Sequence, residues 1–385
     1  MNRNELLNKV LNSNSDILVL KLATGVGKSK MALEYFKDKD VTIIVDKNVN
    51  KTNWLDEIRK FNFDEKKYEM FNYKSIHKVK NSDYLVLDEA SSLFSDVTFN
   101  RFLKLKFKKI VLLDATLDNR KIDKLKILNR SIEIISFQLS DAVNANILPK
   151  PKIIIERLQL DNKIRNHVFK EHKKGLPEKD VFYRDRYKYS RKIFSLNIIC
   201  TQKEIHDLII SKMKFARTLV NGNPYYNTVL KILGLKRKTY LASFKTNKAL
   251  LDINRLRSEG KRFIVFAGSI DQAKMLGSNV VSSELSTKEN RKIIDAFNNK
   301  EINEIINVGI LIRAENLVDI DEAIIIQLDV GNIGTVKQQI GRVLRGKNPI
   351  ITMYIMEDTI DEGILGKVKE ELCEYLYDKK DNGCV

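Results

Sequence analysis

Short apolar runs rich in β-branched residues recur along this chain in two separate blocks, and that recurrence leaves few folds open. The first block holds Ile17-Leu18-Val19-Leu20, Val41-Thr42-Ile43-Ile44-Val45, Tyr84-Leu85-Val86-Leu87 and Ile110-Val111-Leu112-Leu113. The second holds similar runs at 262–266, 305–312, 323–328 and 350–356. Each run is apolar on both faces, as a central parallel strand covered by helices must be, and not alternating as a half-exposed strand would be. Helix-length stretches such as 28–37 separate them. The expected fold is therefore α/β, with two doubly wound parallel sheets at 1–150 and 241–385. A length of 385 residues suits two or three domains.

The segment 151–240 reads differently. It opens on Pro149-Lys150-Pro151, which disfavours helix. Across 161–240, 19 Lys and Arg stand against 7 Asp and Glu, a surplus of 12 out of +18 for the whole chain. We expect a basic, mainly helical inserted or linking segment. A surplus of this size gives a strong positive field, for which nucleic acid or an anionic membrane are the usual targets. No apolar run approaches the roughly 20 residues of a spanning helix, and the first residues lack the apolar stretch of a signal peptide, so no membrane role is expected. The three cysteines, Cys200, Cys373 and Cys384, are scattered and odd in number. That argues against a disulfide framework or a zinc ribbon and fits a reducing cytoplasm.

Three local patterns carry chemistry. Ala23-Thr24-Gly25-Val26-Gly27-Lys28-Ser29 follows the first strand and opens a helix. Glycines there let backbone amides wrap a phosphate; Lys28 would reach its outer oxygens and the Ser29 hydroxyl would bind magnesium. The alternative is a flexible turn beside a surface lysine. The full phosphate-loop pattern is broken by Leu22 at the first glycine position. Next, the run at 84–87 leads into Asp88-Glu89-Ala90-Ser91. Acids at the C-terminal end of an apolar strand lie where parallel sheets bind ligands. Asp88 would position a metal, and Glu89 would orient and deprotonate a water; alone, the pair could equally cap a helix. Last, Gln338-Gln339-Ile340-Gly341-Arg342-Val343-Leu344-Arg345 places Arg342 and Arg345 three apart on one helix face. Arginines from a second lobe stabilise charge on a transferred phosphoryl group, although a solvated basic helix would look similar.

Taken in order, these patterns resemble superfamily 2 DNA or RNA helicases of the DExx-box kind. Residues 23–29 resemble motif I, 88–91 the DExx box of motif II, Asp114-Ala115-Thr116 the coupling motif III, 262–266 motif IV and 338–345 motif VI. The resemblance spans about 1–150 and 240–360. It implies two RecA-like domains closing on ATP and Mg2+, with Gln338, Arg342 and Arg345 acting from the second. It further implies that Lys47 to Trp54 (motif Ia) and Tyr73, Lys74 and Ser75 (motif Ib) hold the nucleic-acid backbone. Trp54 could instead be core. The chain departs from the family at Ser91, at Ala314 in a loose motif V over 311–316, and at the absent upstream Gln that reads adenine.

In the middle segment, 182–192 interleaves aromatics with cations, and Arg184, Arg186 and Lys188 are expected to grip nucleic acid. The function expected is an ATP-dependent helicase or translocase, a monomer sufficing, with DNA preferred over RNA and forked or branched duplexes as substrate. An RNA helicase, and a scaffold that binds ATP as a switch without translocating, are the alternatives. The resemblance to bacterial and phage DNA motors carries the preference for DNA.

Overall fold

The computed structural model describes residues 1–385 apart from 81, 172–173, 190–192, 310–316, 329–332, 345, 347 and 379–385. The first lobe is built on β1 (Ile17–Leu22), β2 (Val41–Val45), β3 (Tyr68–Asn72), β4 (Tyr84–Asp88), β5 (Lys109–Leu113) and β6 (Ile132–Phe137). They form one sheet in the order β3-β2-β4-β5-β1-β6, and every pairing is parallel. The four central strands are those whose sequences are continuously apolar; their side chains lie buried against helices on both faces. The edge strands β3 and β6 carry Glu69, Glu133 and Ser136 among their apolar residues and stay partly exposed, so their sequences do not read as buried strands.

The second lobe contains β7 (Lys152–Leu158), which precedes a small sheet of β8 (His167–Glu171), β9 (Glu178–Phe182) and β10 (Ser195–Cys200). It then adds β11 (Phe263–Phe266), β12 (Val280–Val281), β13 (Glu304–Asn307), β14 (Glu322–Ile325), β15 (Ile350–Met356) and β16 (Leu376–Asp378). The large sheet runs β12-β13-β11-β14-β15-β7-β16, again entirely parallel. Two parallel-sheet α/β lobes thus stand where the apolar runs placed them. The expected strand over 305–312 covers Glu304–Asn307; positions 310–312 lie outside the described residues.

The division at 151 needs correction. β7 is a strand of the second sheet, paired with β15 along its whole length from Lys152 to Leu158. The reason is burial: Ile153 and Ile155 are fully enclosed, and an apolar triplet at 153–155 gains far more in a sheet interior than in a linker. Beside its helices the inserted unit holds a small sheet that the sequence did not announce, β8-β10-β9, antiparallel on one side and parallel on the other. Its two long helices, Gln202–Leu219 and Tyr225–Ser243, cover one face of that small sheet through Phe169, Val181, Ile198, Ile209 and Met213. Thr201 caps the first helix and Glu204 closes the reciprocal bond to the Thr201 amide.

The insert is fixed to the second lobe by a buried charge. Lys245, immediately after the second long helix, is 1% exposed; its Nζ donates to Asp361 Oδ2 at 2.7 Å and to the Ile326 carbonyl at 3.0 Å. Burial lowers the Lys245 pKa, and Asp361 opposes that shift. A buried pair of this kind is costly to break on one side only. Asp361→Leu should destabilise the protein by about 3–5 kcal/mol, because the lysine loses its partner. The double variant Lys245→Met/Asp361→Leu should recover most of that loss in a urea denaturation series. Equal losses in both would show that the pair is not what holds the joint.

Candidate active site

Three neighbouring strands deliver the first half of the site. β4, β5 and β1 lie side by side, and the register sets Leu20 opposite Leu113 and Leu113 opposite Asp88. The stretches that follow β1, β4 and β5 therefore leave the sheet at one level. This is why residues 23–29, 88–91 and 114–116, far apart in sequence, meet at the C-terminal edge where parallel sheets place ligands.

The 23–29 loop has the backbone its glycines permit. Gly25 and Gly27 adopt φ +91° and +104°, which residues with a Cβ rarely adopt. Gly27 is the N-cap of the helix Lys28–Tyr35 and supplies no side-chain acceptor, so the first amides of that helix are left to an external anion. Lys28 Nζ lies 3.1 Å from the Leu22 carbonyl and also faces that of Ala23. Burial lowers its pKa; Glu89, Asp88 and Asp114 act in the opposite sense, while Arg342 adds to the lowering. Four charged groups thus lie near enough to this half-buried lysine to act on it. Thr24 is half-buried, Val26 fully buried, and Ser29 sits in the first helical turn.

Asp88 ends β4. Its Oδ2 accepts from the Trp54 indole Nε1 at 3.0 Å and its Oδ1 from the Glu89 amide at 3.1 Å. Burial raises the Asp88 pKa, against these bonds and Lys28. Tyr73 donates its hydroxyl to the Asp88 carbonyl at 3.0 Å. Glu89 occupies the left-handed region, φ +49° and ψ +54°, a strained conformation for a non-glycine residue and one found disproportionately at functional sites. Asp114, 1% exposed, accepts from the Ser91 amide at 2.8 Å, the Thr116 amide at 2.7 Å and the Thr116 hydroxyl at 3.1 Å. This carboxylate ties the DExx segment to 114–116.

The second lobe completes the arrangement through the helix Ile333–Val343. Gln338 Nε2 donates across the cleft to Glu89 Oε2 at 3.2 Å. Gly341 sits so close to Thr24 that a Cβ on it would lie 2.9 Å from the Thr24 Cβ. The helix docks directly on the phosphate-type loop because position 341 has no side chain. Arg342 is buried and near enough to depress the Lys28 pKa. Arg345 and the 311–316 stretch lie outside the described residues.

Several expected contacts are corrected by burial. Trp54 is 2% exposed and spends its indole N–H on Asp88, so it presents no ring to a nucleic acid. Tyr73 is likewise buried. Arg186 is buried between the rings of Tyr183 and Tyr187, 3.7 and 4.1 Å from their centroids, so the aromatic–cation alternation serves packing at that residue. Lys47, Lys74, Arg184 and Lys188 are exposed, with Asp185 beside both Arg184 and Lys188; Ser75 bonds within its own turn to Asn72. Trp54 as a support for Asp88 was not legible beforehand. Its position in a helix is local information, but its partner lies 34 residues away on another element.

Among the described residues no group of three or more His, Cys, Asp or Glu converges as a metal cage. Ser29 and Asp88 are hard oxygen donors of the type magnesium takes, with substrate phosphates and water completing its shell. Loop, open helix amides and donor set fit a magnesium–nucleoside triphosphate. No helix among the described residues is long and apolar enough to cross a membrane.

Residues 245–347 match the helicase conserved C-terminal domain family. No curated protein sequence matches the chain. Solved structures do. Dbp5 of S. cerevisiae bound to RNA and ADP BeF3 superposes with a TM-score of 0.54 at 11% identity, over 98% of this chain and 90% of that one. The DEAD-box helicase Mss116 bound to ssRNA and UDP-BeF gives 0.56 at 11%, over 98% and 74%. The Hef helicase domain of Pyrococcus furiosus gives 0.50 at 14%, over 95% and 97%. At such identities the likeness is one of fold: the chain has the two-lobed architecture of these helicase structures, and the family match falls within its second lobe.

Trp54 is the single tryptophan, so the tryptophan emission comes from a ring hydrogen-bonded to Asp88. Adding Mg2+ with ADP should change the intrinsic fluorescence of the native protein, and Asp88→Ala should abolish the response. A native emission indifferent to saturating nucleotide would contradict the placement of the metal site.

Proposed function

We propose that this chain is an ATP-driven motor on nucleic acid, a helicase or translocase that hydrolyses ATP to ADP and phosphate in the cleft between its lobes. The observation that carries the reading is the convergence across that cleft. Lys28, Asp88 and Glu89 from one lobe face Gln338 and Arg342 from the other, with Glu89 and Gln338 in direct contact. A site split in this way works only when the lobes are closed, which makes hydrolysis a sensor of their relative position.

The geometry supports the following roles. The amides of 25–29 and Lys28 hold the β- and γ-phosphates. Ser29 and Asp88 hold Mg2+, which neutralises phosphate charge when bound. Glu89 takes the proton of the attacking water; its contact with Gln338 orients the carboxylate from across the cleft. Arg342, and Arg345 by the sequence motif, stabilise the charge on the transferred group. Asp114 and Thr116 couple the DExx segment to the polymer-binding side. The structures of Dbp5 and of Mss116 hold a nucleotide analogue, which supports a nucleotide here.

Nucleic acid as the track is supported by the +18 charge and by the helicase fold. We propose DNA as the polymer, with forked or branched duplexes as substrate and with Lys47, Lys74, Arg184 and Lys188 among the phosphate contacts. RNA is the second reading, favoured by the RNA held in the Dbp5 and Mss116 structures. ATPase rates against single-stranded, forked and four-way DNA and matching RNA separate the two. Arg342→Ala should lower turnover by at least about 1,000-fold, and Glu89→Gln by about 100- to 10,000-fold. Lys28→Ala should fall below detection. Near-native turnover in Lys28→Ala and Glu89→Gln together would sink the assignment.

A further inference from the structure

The inserted unit holds a feature that the ATP site does not use. From 208 to 251 there is no Asp or Glu, while nine Lys or Arg occur. An even spread of the chain's 50 acids would put between five and six in those 44 residues. This acid-free stretch forms most of the helical hairpin Gln202–Leu219 and Tyr225–Ser243. One side of the hairpin is consumed in packing: Ile209, Met213 and Ala216 are buried, and Leu230 and Leu233 pack on the same cluster. The side away from that core carries large apolar groups in water. At the tip, Phe215 is 65% and Tyr225 66% exposed, beside exposed Lys214 and Arg217. Ile232 and Leu235 continue the stripe from Tyr225 at helical spacing, flanked by exposed Lys231 and Lys236.

The base of the hairpin is bolted to the second lobe. Lys203 Nζ donates to the Asp358 carbonyl at 2.8 Å, Gln272 Nε2 to the Ala242 carbonyl at 2.7 Å, and Lys245 to Asp361. The hairpin therefore moves with that lobe. An 18-residue helix is about 27 Å long. A rotation of about 7° at its base moves the tip by roughly 3 Å, close to the rise of one nucleotide.

We propose that this hairpin is a lever that engages the junction between duplex and single strand. Its acid-free face lies along phosphates, and Phe215 and Tyr225 stack on the unpaired bases at the fork. A polyanion is the occupant that charge selects: cations border the apolar stripe, the stretch 208–251 that carries it contains no acid of its own, and flat bases offer a face to each ring. The proposal rests on the reading of the chain as a nucleic-acid motor.

Three variants test it in the full chain: Phe215→Ala/Tyr225→Ala, Phe215→Trp/Tyr225→Trp, and Lys214→Glu/Arg217→Glu/Lys231→Glu. All positions are exposed, and thermal melts check that each variant folds. The readouts are displacement of a labelled strand from forked DNA and RNA, ATPase stimulated by single strands, and salt dependence of binding to a fluorescent oligonucleotide. The alanine pair should lose displacement by about 5- to 100-fold, as the loss of one or two stacked bases implies, while stimulated ATPase is retained. The tryptophan pair should restore displacement. The charge variant should flatten the slope of log affinity against log salt by roughly 2. Native displacement and an unchanged slope in all three overturn the proposal and leave the stripe as a face for a protein partner. Failure of the underlying reading looks different: the native protein itself would show no ATPase stimulation by any polynucleotide.

Discussion

Lys28 is half-buried among Asp88, Glu89 and Asp114, and the site depends on holding that cluster of opposite charges together. Removing an ammonium from water is expensive unless opposite charge surrounds it. The parallel sheet supplies the surroundings by geometry alone, because β1, β5 and β4 end side by side. Each carboxylate is then used a second time. Asp88 is held by Trp54, and Asp114 holds Ser91 and Thr116. In the proposed reading a nucleotide and its metal take over the lysine and Asp88, so binding rewires a network that already reaches into the core.

The second lobe enters the same network through a helix that lacks a side chain where it meets the loop. Gly341 against Thr24 brings Gln338 to Glu89 and Arg342 close to Lys28. Within the second lobe, Lys245 bonds the carbonyl of Ile326, just past β14. The buried lysine thus joins the basic hairpin to the lobe's sheet and to Asp361.

What could be read from the sequence follows the range of the physics involved. Strands buried on both faces, such as Val41–Val45 and Ile350–Met356, announce themselves because they are apolar apart from one β-branched threonine each. The phosphate-type loop is legible because its chemistry is local: glycine φ angles, helix amides and one lysine lie within seven residues. Edge strands β3 and β6 mix polar with apolar residues and carry no such signal. β7 follows directly on Pro149 and Pro151 and its neighbour β15 lies some 200 residues away, so its sequence position does not show which sheet it joins. Trp54, Tyr73 and Arg186 were read as surface contacts because residue type and spacing do not report burial. Only the packed structure shows Trp54 under Asp88 and Arg186 between two tyrosine rings.

The central claim is that one catalytic centre is assembled from both lobes, with Glu89 and Gln338 acting as a unit. A double-mutant cycle on ATP turnover, using Glu89→Asp, Gln338→Ala and the combination, measures that directly. Residues in contact should couple by at least about 0.5–3 kcal/mol. The combined variant should then be no slower than the worse single variant by more than a small factor. Multiplicative losses, with no coupling between the two positions, would contradict a shared centre across the cleft.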